Sequence, residues 1–161
     1  MVKPPEGDSA LRLVLDTNVA IDWFVFADPA TKRLKEAVVA RRVRVLTHEC
    51  AMQEFRRALG YRSVKLEERR QAQAFEEYCA CTSVADLAWP LSLADLRLPA
   101  NFPRCRDRDD QYFLALAHHA RADALASRDK KVLQLRGRVR RFGLTIVELR
   151  ALEGYLATLE P

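Results

Sequence analysis

Residues 11–22 read LRLVLDTNVAID. The first five, Leu11 to Leu15, are short, branched and apolar, the composition of a strand buried in a sheet. The run stops abruptly on Asp16, and a hydroxyl, Thr17, and an amide, Asn18, follow it. A carboxylate carried to the end of a buried strand is costly unless something compensates its charge. Two readings account for it. Asp16 braces a turn, or it stands on the carboxyl rim of a parallel sheet, where open α/β folds gather their ligands.

Outward from this stretch the pattern alternates. Residues 31–41, TKRLKEAVVAR, place Leu34, Ala37 and Val38 at i, i+3 and i+4, the spacing of a helix that Thr31 would cap. VRVLT, 43–47, alternates and is rich in branched residues, which predicts a second strand. In 48–60, HECAMQEFRRALG, the residues Ala51, Phe55, Ala58 and Leu59 share one helical face, with Gly60 as a stop. Residues 65–80 predict a polar helix, and 89–105, with Pro90, Pro99 and Pro103, a loop. A strong helix is expected over 107–121. A short strand follows at 122–127, a short helix at 129–135, then a strand and a terminal helix within 143–159. Strands that alternate with helices call for a mainly parallel sheet covered on both faces, an α/β class fold.

The chain of 161 residues is the size of one domain, expected over 11–161 behind a loose tail at 1–10. That tail lacks the basic and apolar regions of a signal peptide. No apolar run reaches the roughly 20 residues of a membrane span. Cys79 and Cys81 are one residue apart, and His118 and His119 lie far away in sequence, which does not suit zinc. Reduced thiols in a cytoplasmic protein are the plain expectation for these and for Cys50 and Cys105. Lysine and arginine exceed aspartate and glutamate by 27 − 22 = 5. The excess is clumped at RGRVRR, 136–141. Such a balance allows nucleic-acid or acidic-protein partners without proving either.

Three further carboxylates invite comparison with Asp16. Asp129 lies just beyond the strand that ends in ALAS. Glu54 flanks the apolar stripe of its helix, three residues after Ala51 and four before Ala58. Asp110 precedes Phe113 and Leu114 by three and four residues, in a first turn where the helix dipole favours an anion. Each has a plainer account: Asp107 and Asp110 as N-cap and N3, Glu54 as a solvated flank, Asp129 as a cap. Convergence in one cleft would instead make the acids repel one another and would call for a hard cation, Mg²⁺ or Mn²⁺, which prefers oxygen ligands.

At this point the ordered set VLDTNV, then EF on a helix, then CRDRDDQYFLALA, then ALASRDKKVL, resembles the PIN-domain ribonucleases, most of all the VapC-like toxins of bacterial toxin–antitoxin pairs. The likeness runs from about residue 11 to residue 150. It implies a three-layer α/β/α sandwich with a central parallel sheet, an acidic site for Mg²⁺ or Mn²⁺, and endonucleolytic cleavage of RNA. Carried over motif by motif, the four acids are Asp16, Glu54, Asp110 and Asp129. Asn18 and Ser127 match the polar residues of the first and last motifs, orienting carboxylates or water, and Asp107 stands as a supporting acid. The resemblance also implies an antitoxin partner and a homodimer.

The arginines Arg138, Arg140 and Arg141, or alternatively Arg56, Arg57 and Arg62 beside the Glu54 helix, are candidate contacts to the RNA backbone. A solvated basic turn would explain the first group equally. Trp23, Phe24 and Phe26 read as core packing or as an exposed groove for an antitoxin peptide or second protomer. Two other functions compete: an RNA-maturation or decay nuclease without an antitoxin, and a non-catalytic binding module. A phosphorylated receiver fits poorly, since Asp16 has no acidic neighbour and Lys130 follows Asp129 directly.

Overall fold

The computed structural model describes residues 9–87 and 97–158. Most of the expected tail, part of the proline-rich loop and the last residue of the terminal segment therefore lie outside the described residues.

Five strands build one parallel sheet: β1 (Leu11–Leu15), β2 (Val43–Thr47), β3 (Thr82–Val84), β4 (Ala124–Ser127) and β5 (Thr145–Glu148). Their spatial order is β3-β2-β1-β4-β5. The chain winds outward from β1 to β3, then returns to pair β4 against the other side of β1. A topological switch point therefore lies between β1 and β4, and in such sheets the crevice outside the carboxyl ends opens there. Asp16 ends one of those two strands and Ser127 the other.

Both faces of the sheet are covered, as a three-layer α/β/α sandwich requires. On one side pack α1 (Thr17–Phe24), α2 (Lys32–Val39), α3 (Glu49–Leu59), α4 (Glu68–Cys81) and α8 (Leu149–Ala157). On the other lie α5 (Arg108–His119), α6 (Lys130–Leu133) and α7 (Arg136–Val139). The strands show why. Leu13 and Leu15 enter the first core and Val14 the second; Ala124 and Ala126 enter the first and Leu125 the second. A pleat of period two that is apolar on both faces demands two covers. An aromatic cluster locks α1, α3 and α4 together. Phe55 stacks on Tyr78 with centroids 4.4 Å apart, and Phe24 meets both edge-on at 5.9 and 5.5 Å.

Several local expectations change. The helix α1 has no polar face to announce it, since Val19 to Phe24 are all buried. The three-residue edge strand β3 forms where the pattern assigned no strand, between the polar helix and the proline-rich loop. Thr31 does not cap α2 through its side chain; its hydroxyl donates to the Asp28 carbonyl. Asp28 instead caps a short 3₁₀ turn over Pro29–Thr31 by accepting from the Ala30 amide. Of the apolar cluster after Asp16, Trp23 and Phe24 are core, but Phe26 is 56% exposed because the chain leaves α1 before it. The basic segment 136–141 is helical, with Val139 anchoring it in the core.

Candidate active site

Asp16 sits between β1 and α1 in extended backbone, and it is 4% exposed. Its Oδ1 accepts from the Val19 amide at 2.8 Å, capping α1. Its Oδ2 accepts a hydrogen bond from the Ser127 hydroxyl, delivered by the neighbouring strand β4. Both oxygens of the strand-end carboxylate are thus engaged, one by the helix cap and one by the neighbouring strand. Burial pushes its pKa up, against the pull of Ser127, Val19 and Arg128.

Asp16, Glu54 and Asp110 line one cleft of about 340 Å³, together with Thr17, Asn18 and Arg128. Glu54 arrives from α3. The pKa of this half-buried acid is raised by burial and by Asp109 and Asp16, and lowered by the Thr17 hydroxyl and Arg57. Thr17 turns its buried oxygen that way without completing a hydrogen bond of good geometry. Asp110 comes from the first turn of α5. Its carboxyl is pushed up to about 6, first by burial, then by Asp129, Asp107 and Asp16, with Lys131 opposing.

Capping accounts for some acids and not for others. Asp107 is the N-cap of α5, accepting from the Asp109 amide at 3.0 Å, and it lies 3.6 Å from Lys131 Nζ. With that end satisfied, Asp110 has no capping bond and faces the cleft. Asp129 caps α6 through the Lys131 amide at 2.7 Å and does not line the cleft, although its charge reaches Asp110. The bracing of Asp16 expected of Asn18 is done by Ser127 and the Val19 amide. Asn18 is exposed on the cleft wall and bonds none of the acids.

The arginines divide. Arg57 is close enough to Glu54 to favour its ionised form. Arg56 turns away onto the Phe75 ring, 4.7 Å from its centroid. Arg138, Arg140 and Arg141 are exposed and do not line the cleft; Arg141 donates to the Asn101 carbonyl. Missed by the pattern are Arg128, on the cleft wall, and Asp22, a buried carboxylate paired with it. A charge inside the otherwise apolar stretch VAIDWF was the available signal.

The donor set suits a hard divalent cation. It is all oxygen, and the acids lift one another's pKa values in a way that a positive ion between them would relieve. Among the described residues no three His, Cys, Asp or Glu side chains stand close enough to grip an ion directly. Mg²⁺ commonly binds with one or two carboxylates and several waters, so the set fits that mode.

One consequence is measurable without any metal. Above its ordinary 3.8, Asp110 ionises more readily in the unfolded chain than in the folded one, so its charge destabilises the fold. The penalty is absent below 3.8, grows through the interval to about 6, and is complete above it. Discounted for solvent screening, it is on the order of 1 kcal/mol. Asp110→Asn should therefore raise the melting temperature in EDTA by about 2–4 °C at pH 7.5. The gain should vanish towards pH 4. Equal melting curves at pH 7.5 would show that the acid is not strained.

A doubly covered parallel sheet with a carboxylate-lined crevice at its switch point defines the class: an α/β/α domain built around an acidic site. The PIN domain family model matches residues 12–131, and the chain belongs to that family. Among solved structures it is similar to VapBC2 from Rickettsia felis bound to a DNA fragment from their promoter, with a TM-score of 0.56 and 10% sequence identity. That match covers 86% of this chain and 98% of the other. At this identity the likeness concerns the fold. No curated protein matches the chain.

Proposed function

We propose that the protein is a Mg²⁺- or Mn²⁺-dependent endoribonuclease and the toxin of a toxin–antitoxin pair. The observation that carries this reading is the meeting of Asp16, Glu54 and Asp110, from three separate motifs, in one cleft at the switch point. Membership of the PIN domain family supports nuclease chemistry, and a VapBC complex among the structural neighbours supports an antitoxin partner. In this reading the enzyme works in the cytoplasm, where its RNA lies and where its four free thiols stay reduced. Among the described residues no helix is long and apolar enough to cross a membrane.

Asp16, Glu54 and Asp110 would hold the ion, one or two of them directly and the rest through water, with Asp129 adding its charge from outside the cleft. When bound, the ion makes a water acidic enough to supply a nucleophile and offsets charge on the phosphodiester. The protein's own parts then have distinct tasks. Ser127 fixes one oxygen of Asp16 and the α1 cap fixes the other, so this carboxylate cannot rotate out of place. Asn18, on the cleft wall, is available to the RNA. Calorimetry with Mn²⁺, followed by sequencing of RNA ends after incubation, tests the reading. A protein that takes up no Mn²⁺ and leaves RNA intact is a binding module instead.

The basic helix α7 and the turn after it supply a phosphate surface outside the cleft. Each phosphate neutralised on a single strand contributes about 0.7 to the slope of log affinity against log salt. Replacing Arg138, Arg140 and Arg141 together with Ala should flatten that slope by about 2 for a noncleavable RNA. An unchanged slope clears these arginines of the role.

A further inference from the structure

Arg128 lies between Ser127 and Asp129, and its side chain does not follow theirs. It crosses to α1, where Nη1 stands 3.0 Å from both carboxylate oxygens of Asp22. Asp22 is 3% exposed, in a helix whose other residues from Val19 onward are all apolar and buried. A buried carboxylate of this kind is poor value for stability, since a packed apolar side chain does as well or better. The pair does hold the guanidinium in place. Arg128 remains about half exposed, lines the same cleft as Asp16, Glu54 and Asp110, and lies near enough to Asp16 to favour its charged form. Only Nη1 is engaged by Asp22; among the described residues Nη2 and Nε have no carboxylate or carbonyl partner.

Resting on the nuclease reading above, we infer that Arg128 contacts a phosphate of the bound RNA at the cleavage cleft, and that Asp22 is the positioning residue that aims it. A planar fork with two donor groups left over matches a phosphate's oxygens, which a point charge does not. Charge that grows on those oxygens during displacement is best met by a donor already fixed in place. Asp22 supplies that fixity from inside the core, at a separation of 106 residues along the chain.

The test uses the full chain and a single-stranded RNA oligonucleotide. Binding is read in EDTA by anisotropy across a salt series, and cleavage is read separately with Mn²⁺. Arg128→Ala should weaken binding, reduce the salt slope by about 0.7 and lower kcat about a hundredfold. Arg128→Lys should restore the slope but not kcat, because it returns the charge without the fork. Asp22→Asn should lower kcat about tenfold while affinity stays at or above that of the parent, since the arginine is kept but loosely aimed. A role confined to stability would lower both together, in step with the folded fraction. Identical affinity, slope and kcat in Arg128→Ala and the parent overturn the assignment. Absence of Mn²⁺-dependent cleavage by the parent overturns the nuclease reading instead.

Discussion

Asp16→Asn is expected to lower metal-dependent RNA cleavage by at least about a hundredfold, with little change in melting temperature. The second half of that expectation follows from the two jobs of the side chain. Asn is an N-cap as good as Asp, so the bond from the Val19 amide survives. The amide nitrogen then faces the Ser127 hydroxyl oxygen and donates to it, so that contact is kept with its direction reversed. What disappears is the charge, and burial already disfavours that charge. Asp16→Ala makes the contrast, because it removes both the cap and the charge. It should cost about 1 kcal/mol of stability as well as the activity. The pair of variants therefore separates brace from ligand. A folded Asp16→Asn protein with full cleavage would remove this carboxylate from the chemistry.

Phe55→Ala should destabilise the protein by about 3–5 kcal/mol, a fall of roughly 10 °C or more in melting temperature. Phe55 is fully buried, stacked on Tyr78 and met edge-on by Phe24, so its removal opens a cavity shared by α1, α3 and α4. The ring also stands beside Glu54 in α3, and Phe24 ends the helix that Asp16 begins. Cleavage per folded molecule should therefore fall too, since two of the cleft's acids ride on elements that this ring fixes. Urea denaturation measures the first effect, and activity normalised to folded protein the second. A cost below about 1 kcal/mol would mean that the three helices collapse around the gap, contrary to close packing in protein interiors.

Much of the fold was legible in local pattern. LRLVL reads as a buried strand and VRVLT and ADALAS as strands, and the structure makes all three the inner strands of the sheet. The face of α3 marked by Ala51, Phe55, Ala58 and Leu59 is the buried face. Where pattern failed, the contrast between inside and outside was missing. The stretch VAIDWF is buried all round, so α1 has no polar side to set a period. TSV is short and mostly exposed, so β3 exists only because β2 offers it an edge. The site shows the same division. Asp16, Glu54 and Asp110 could be named because each stands at a definite place on its own element. Whether Asp107 or Asp110 faces the cleft turned on which of them the helix cap consumed.

The sequence by itself determined the alternation of strands and helices, the two-sided burial of the sheet, and the acids that end strands or open helices. These are local facts, repeating every two or every 3.6 residues, and a hydrophobicity pattern records them. Only the tertiary structure decided that β4 returns to lie beside β1, placing Ser127 against Asp16 and Arg128 against Asp22. Those contacts join residues more than a hundred positions apart. No local period encodes them, because the strand pairing that makes them is chosen by the packing of the whole chain.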